Sequence, residues 1–295
     1  MTHKTSIAIV IVIFLWASAF VAIRAGLQVY SPEGLALLRY LIASVCMAVV
    51  YYRLPQKSSL RIRDILALMG IGAIGIGIYN LTLNYGELSI SSGMTSFITS
   101  QSPIITTILA VAFFGEQLNL VRCLGFFVSV FGVALITIGE IGSFKWDVGM
   151  TYVLLATLAA GCYSILQKPF LKKCHIIEAT AFVIWGGTLF LAMYASHLKH
   201  DLLIASFNAT LTVIYLGIFP ATIGYLAWSY VLSEIPTSKA VSFLYFMPFL
   251  ATILGWLWLG EIPMWLSLVG GVLAIAGVWL INHSYVPVKI DVEHK

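Results

Sequence analysis

The chain has 295 residues and a formal net charge of +4, yet only 9% of its side chains are charged and 60% are hydrophobic. A soluble domain carries about 25% charged residues, so the composition is that of an integral membrane protein. At about 20 apolar residues per crossing, it predicts ten membrane-spanning helices.

The first span covers 6–29 and carries Trp16, Phe20 and, toward its far end, Arg24. Lys4, the apolar run from Ile7 to Leu15 and Ala17-Ser18-Ala19 imitate a cleavable signal peptide. Cleavage would leave nine spans and break the parity described below. The second span, 33–52, is preceded by Pro32 and contains Arg39. The third, 64–84, holds Gly70, Gly72, Gly75 and Gly77 and ends on Asn80 and Asn84, one turn apart. Span four, 90–114, has Ser96 and Ser100 one turn apart, Pro103 near its middle and Gly115-Glu116 just after it. Span five, 121–139, places Gly125 and Gly132 on one helix face. Then come 147–168 with Tyr163 and Gln167, 178–196, and 209–231 with Tyr225 and Trp228. The ninth, 238–259, carries Ser242, Tyr245 and Pro248 and precedes Gly260-Glu261; the tenth, 265–283, carries Gly270 and Gly277.

A shift of 145 residues lays Pro103 on Pro248, Gly115-Glu116 on Gly260-Glu261, and Gly125 and Gly132 on Gly270 and Gly277. It also brings Thr107-Ile108-Leu109 onto Thr252-Ile253-Leu254, Tyr85 onto Tyr230 and Glu33 onto Glu178 without a gap. The chain therefore divides into two related units, 5–140 and 146–284, followed by a tail, 285–295. Each unit has five spans. Because five is odd, the second must enter the membrane from the opposite side, giving two inverted five-helix repeats. Lys and Arg collect on cytoplasmic loops. Arg53, Lys57, Arg61 and Arg63, with Lys168, Lys172 and Lys173, fall on one face, as do Lys4, Arg122, Lys239, Lys289 and Lys295. Both termini are expected in the cytoplasm, and the positive charge follows from topology without invoking nucleic acid.

Trp16-Ala-Ser-Ala-Phe20 with Arg24, Pro32 followed by Arg39-Tyr40, and the duplicated Pro…Gly-Glu…Gly…Gly pattern resemble the EamA-type members of the drug/metabolite transporter superfamily. The likeness covers nearly the whole chain. It implies a ten-span carrier of small organic solutes, often an exporter of amino acids or related metabolites, in a bacterial inner membrane. It also implies a solute pathway between spans one to four and six to nine, with spans five and ten peripheral. The halves differ where Trp16 meets Gly161, Arg24 meets Pro169 and Arg39 meets Ile184.

A solute site combines apolar walls with a few orienting polar groups. The depth of each residue predicts Trp16, Phe20, Arg39, Asn80, Asn84, Ser96, Ser100, Tyr163, Gln167, Tyr225, Trp228, Ser242 and Tyr245 as its lining. Such aromatic richness suits an amphipathic solute or one presenting a ring or a cation, although membrane interfaces also collect Trp and Tyr. Pro103 and Pro248 cannot donate to the helix ladder at mid-membrane, which marks hinges beside a polar cavity. Arg24 and Arg39 lie toward the external side, where Glu33, Glu87 or Glu261 would compensate them, unless they reach the outer headgroups or hold a solute carboxylate. Glu116 and Glu261 sit at opposite faces as paired gates or as caps.

No cofactor or metal framework is apparent. Cys46, Cys123, Cys162 and Cys174 show no ligand spacing, and the six histidines are scattered over ends and loops. No Asp falls within a span core, so facilitated diffusion or exchange by alternating access fits better than a carboxylate proton relay. A channel and a polytopic enzyme are the alternatives. The partners expected are the lipid bilayer and a small solute, with the chain a monomer or, through a glycine face, a homodimer.

Overall fold

A computed structural model describes the whole chain apart from residues 91, 116–118, 142–146, 260–264 and 284–295. Glu116, Glu261 and the tail 285–295 thus lie outside the described residues. All regular structure among the described residues is helical.

Helix α1 (His3–Gly26) starts on Thr2, whose hydroxyl accepts from Thr5 N, and α2 (Pro32–Tyr52) starts on Ser31, which accepts from Gly34 N at 3.0 Å. Each cap meets a backbone N–H that the helix itself leaves unbonded. Pro32 occupies the first turn of α2, where its missing N–H costs nothing. Helix α3 (Ile62–Gly72) runs through a π-helical turn, Ala73–Ile78, into α4 (Tyr79–Ser89). The fourth predicted span is interrupted: α5 (Ser92–Thr99) ends, Ser100 and Gln101 form a turn, and α6 (Ser102–Phe114) follows. Pro103 therefore sits in the first turn of a new helix rather than kinking a continuous one. Gly115, at φ +64°, closes α6 in the left-handed conformation that favours glycine.

Helices α7 (Leu120–Ile141) and α8 (Val148–Gln167) come next. Asp147 caps α8, and its bonds from Ser89 Oγ (2.5 Å) and Gly149 N (2.7 Å), the former the larger cause, hold its carboxyl below the usual range. A short 3-10 turn leads to α9 (Ile176–Leu191), started by His175 and Glu178 in a reciprocal capping arrangement. Helix α10 (Ala195–Ile204) lies where a loop was expected. Its buried Asp201 accepts from Ser31 N (2.9 Å) and Ser31 Oγ (2.6 Å), locking it to the start of α2. Helix α11 (Phe207–Ile218) passes through a second π-helical turn, Phe219–Gly224, into α12 (Tyr225–Glu234). After α13 (Thr237–Ser242), a 3-10 turn, Phe243–Tyr245, precedes α14 (Phe246–Leu259), and α15 (Trp265–His283) ends the described chain. The irregular turns recur at matching places in the two halves.

Small residues set the closest helix approaches. A Cβ on Gly72 would lie 1.9 Å from Val183 O, and one on its counterpart Gly217 would lie 2.8 Å from Arg39 O. Helices α7 and α15 pair antiparallel: Gly125 faces Gly277 and Gly132 faces Gly270, and Ser129 Oγ donates to Ala274 O at 3.1 Å. The two glycine stripes thus cover each other inside one chain, so a dimer would have to use another surface.

The outer surface is apolar, with Phe127 74% and Trp279 60% exposed, an arrangement suited to lipid. Six stretches are each long and apolar enough to cross a membrane: His3–Gly26, Pro32–Tyr52, Ile62–Ser89, Val148–Lys172, Ile176–Ile204 and Phe207–Glu234. The protein is a multi-pass membrane protein.

The glycine contacts make a paired prediction. Gly132→Ala drives a methyl to 2.4 Å from Ala274 N and should destabilise by about 1–3 kcal/mol. Gly70→Ala meets nothing within 4 Å and should stabilise its helix by roughly 0.5–1 kcal/mol. Melting temperatures in detergent should therefore move in opposite directions.

Candidate functional site

One cavity lies where the irregular turns converge. Its walls are Trp16, Ala19, Phe20 and Ile23 of α1, Arg39 of α2, and Gly75, Tyr79 and Leu83 from the first π-helical turn and α4. Ser96, Thr99, Ser100 and Ser102 line it from the broken fourth span, and Thr157, Ala160, Tyr163 and Ser164 from α8. Tyr225 and Trp228 of α12, with Leu244 and Met247, complete it. The space free to water centres is about 80 Å3, against roughly 10–15 Å3 for one water by the same measure.

The broken helices expose backbone carbonyls that side chains then occupy. Trp16 Nε1 donates to Pro220 O in the second π-helical turn at 3.3 Å, which pins the indole in the wall. Gly224 is required beside it, because a Cβ there would lie 2.8 Å from Trp16 Nε1. The indole meets Tyr225 and Trp228 at ring-centroid distances of 5.4 Å each, and Tyr163 packs 5.8 Å from Tyr225. Such tilted and edge contacts give a rigid aromatic wall at low side-chain entropy.

A chain of polar groups runs behind that wall. Arg39 Nη1 donates to Asn80 Oδ1 at 3.0 Å. Asn80 Nδ2 donates to Tyr40 Oη and to Ile76 O, both at 2.9 Å, and Tyr40 Oη donates to Tyr225 Oη at 3.3 Å. The sequence crosses from α2 and α4 to α12, so it ties two cavity-lining groups, Arg39 and Tyr225, through residues of both halves. Arg39 is 4% exposed and also lies 5.3 Å from the centre of the Tyr40 ring. Among the described residues no carboxylate lies within ion-pair distance of it.

The residues predicted from sequence divide by position. Trp16, Phe20, Arg39, Ser96, Ser100, Tyr163, Tyr225 and Trp228 line the cavity. Asn80 stands behind Arg39. Asn84, equally buried, bonds Pro32 O at 2.8 Å and joins α4 to the start of α2. Gln167 Nε2 and Thr180 Oγ1 both donate to Ser229 Oγ at 2.8 Å, tying α8 and α9 to α12 below the cavity. Ser242 donates to Lys239 O at 2.8 Å, and Tyr245 packs edge-on against Phe126, away from the cavity. Arg24 is exposed in the last turn of α1, where a cation complements the helix dipole. Pro103 and Pro248 are buried beside the two helix breaks.

The sequence reading missed Gly75, Tyr79 and Leu83, which line the cavity at i, i+4 and i+8. It selected Asn80 and Asn84, one position further round the same helix. Adjacent residues differ by about 100° around a helix axis, so a polar stripe and a cavity-facing stripe can lie side by side. Thr99 and Ser102 sit among the many hydroxyls of the fourth span, and Thr157 and Ser164 lie in the sixth, where composition alone does not single them out.

A family model described as the EamA-like transporter family matches residues 3–138 and again 147–283. A Bacillus subtilis protein titled "Uncharacterized transporter YdfC" is 39% identical over 91% of this chain and 87% of its own length. A Streptantibioticus cattleyicolor protein titled "Probable terminal-alkyne amino-acid exporter" is 34% identical, covering 93% of this chain and 92% of that one. An Escherichia coli protein titled "Probable amino-acid metabolite efflux pump" is 22% identical over 95% of each. A crystal structure of another protein aligns with a TM-score of 0.77 at 16% identity, covering 96% of this chain and 98% of its own. Identity that low speaks to the fold alone.

The polar chain predicts a graded response to its removal. Tyr40→Phe deletes one bond and should cost about 0.5–1.5 kcal/mol, whereas Asn80→Leu strands a buried guanidinium N–H and should cost about 1–3 kcal/mol. The double variant should cost less than the sum, since both changes act on one network. Thermal unfolding of the purified proteins reads all three.

Proposed function

The chain belongs to the EamA-like transporter family, and from that premise we propose that it carries a small organic solute, an amino acid or related metabolite, by alternating access. Ten spans form two inverted five-helix repeats, 5–140 and 146–284, with both termini and the tail 285–295 in the cytoplasm of a bacterial cell. The antiparallel pairing of Gly125 with Gly277 and Gly132 with Gly270 supports the inversion, because a residue and its 145-shifted counterpart exchange roles across it. The observation that carries the reading is the shared cavity. Trp16, Arg39, Tyr79 and Ser96 come from the first matched segment, and Tyr163, Tyr225 and Trp228 from the second. A solute bound there touches both repeats, so rocking of one against the other exposes it to one side at a time.

In this reading the wall residues bind the solute, while Asn80, Asn84, Gln167, Ser242 and Tyr245 hold the surrounding helices. The turns beside Pro103 and Pro248 act as hinges, and the bonds of Gln167 and Thr180 to Ser229 close the cytoplasmic end. Arg24, Glu116 and Glu261 serve at the rims. The titles of the amino-acid exporter and efflux relatives favour outward movement or exchange. The protein is read as a carrier, neither an enzyme nor a channel.

Counterflow in proteoliposomes tests this directly. Vesicles preloaded with unlabelled uncharged amino acids should accumulate the labelled form transiently and with saturation. Non-saturable flux would indicate a channel, and chemical conversion of the solute an enzyme.

A further inference from the structure

Two cavity-lining residues each carry a buried polar atom without a partner. Arg39 Nε and Ser96 Oγ form no hydrogen bond, and both residues are 4% exposed. A buried cation without a counter-charge costs several kcal/mol, and a guanidinium offers five donors in a fork matched to a planar anion. Arg39 spends one on Asn80. Arg39 and Ser96 line a space bounded otherwise by Trp16, Tyr225 and Trp228.

The geometry points to Arg39 as the anchor for a carboxylate carried by the solute. This rests on the carrier reading above and adds the chemistry of what is recognised. Among the described residues Arg39 is the one ionic side chain in the wall, so the site matches a single negative charge, without the second cation that a phosphate dianion needs. Among the described residues no carboxylate lines the wall, so a solute ammonium would meet aromatic faces and hydroxyls. The solute class is therefore a small α-amino acid with an uncharged, apolar side chain.

The test uses the full chain in proteoliposomes, with labelled L-norvaline as the probe and unlabelled L-norvaline or L-norvalinamide as competitor. Norvaline should compete about 10- to 100-fold better than its amide, and Arg39→Gln should lower norvaline uptake by a similar factor and abolish that preference. Because Arg39 is an uncompensated buried charge, Arg39→Gln should melt in detergent at the parent temperature or above it. Equal competition by acid and amide, undiminished uptake in Arg39→Gln, or a fall in its melting temperature together with uptake would overturn the anchor. Absence of norvaline uptake in a parent protein that still exchanges other solutes overturns the amino-acid class, and absence of saturable exchange for every solute overturns the carrier reading itself.

Discussion

Hydrocarbon cannot hydrogen-bond a backbone carbonyl, so a membrane-embedded helix breaks only where protein or a wet cavity receives the freed groups. This chain breaks its helices at Ala73–Ile78, at Ser100 and Gln101, at Phe219–Gly224 and at Phe243–Tyr245, around a single space. The freed or weakened carbonyls are taken up by side chains: Ile76 O by Asn80, Ile98 O by Thr157, Gly217 O by Thr222 and Pro220 O by Trp16. Several of these donors either line the cavity or hold a group that does. The interruption of regular structure and the construction of the site are therefore one event. Removing the breaks would leave smooth helices with no place for a solute.

The same economy governs charge. Arg39 is kept in a buried position by one amide, one tyrosine ring and the packing of α2 against α11, where Gly217 comes close to Arg39 O. No carboxylate among the described residues lies within ion-pair distance of it. On the proposed reading, this arrangement gives up stability of the empty protein for recognition, the usual conflict between stability and function at a binding site. The aromatic wall supplies the rigid, apolar remainder of the surface, and its contacts to Trp16 join the first helix to the eighth span of the sequence reading.

Much of this was legible in the amino-acid order. Hydropathy and the 145-residue repeat led to the helical segments, and the motifs led to the family, because both depend on local composition and spacing. Trp16, Arg39, Ser96 and Tyr225 were found because each is unusual for its depth. Tyr79 and Leu83 were not, since choosing between adjacent helix stripes needs the rotation of α4, which packing against α8 decides. Asp201 gave no signal in its loop, because its role as a latch on Ser31 is a contact 170 residues away in sequence. The partnership of the glycine stripes was likewise invisible: each reads as a small-residue face, and only the fold says that they cover each other.

The central claim is that one cavity, shared by the two repeats, opens to each side of the membrane in turn and closes on its solute. A single cysteine placed at Ser100, in a chain whose four native cysteines are replaced, reads this with a membrane-impermeant maleimide. Labelling should occur from outside in right-side-out vesicles and from inside in inverted ones, and should slow in both when saturating solute is present. Labelling from one side only, at a rate indifferent to solute, would contradict the account.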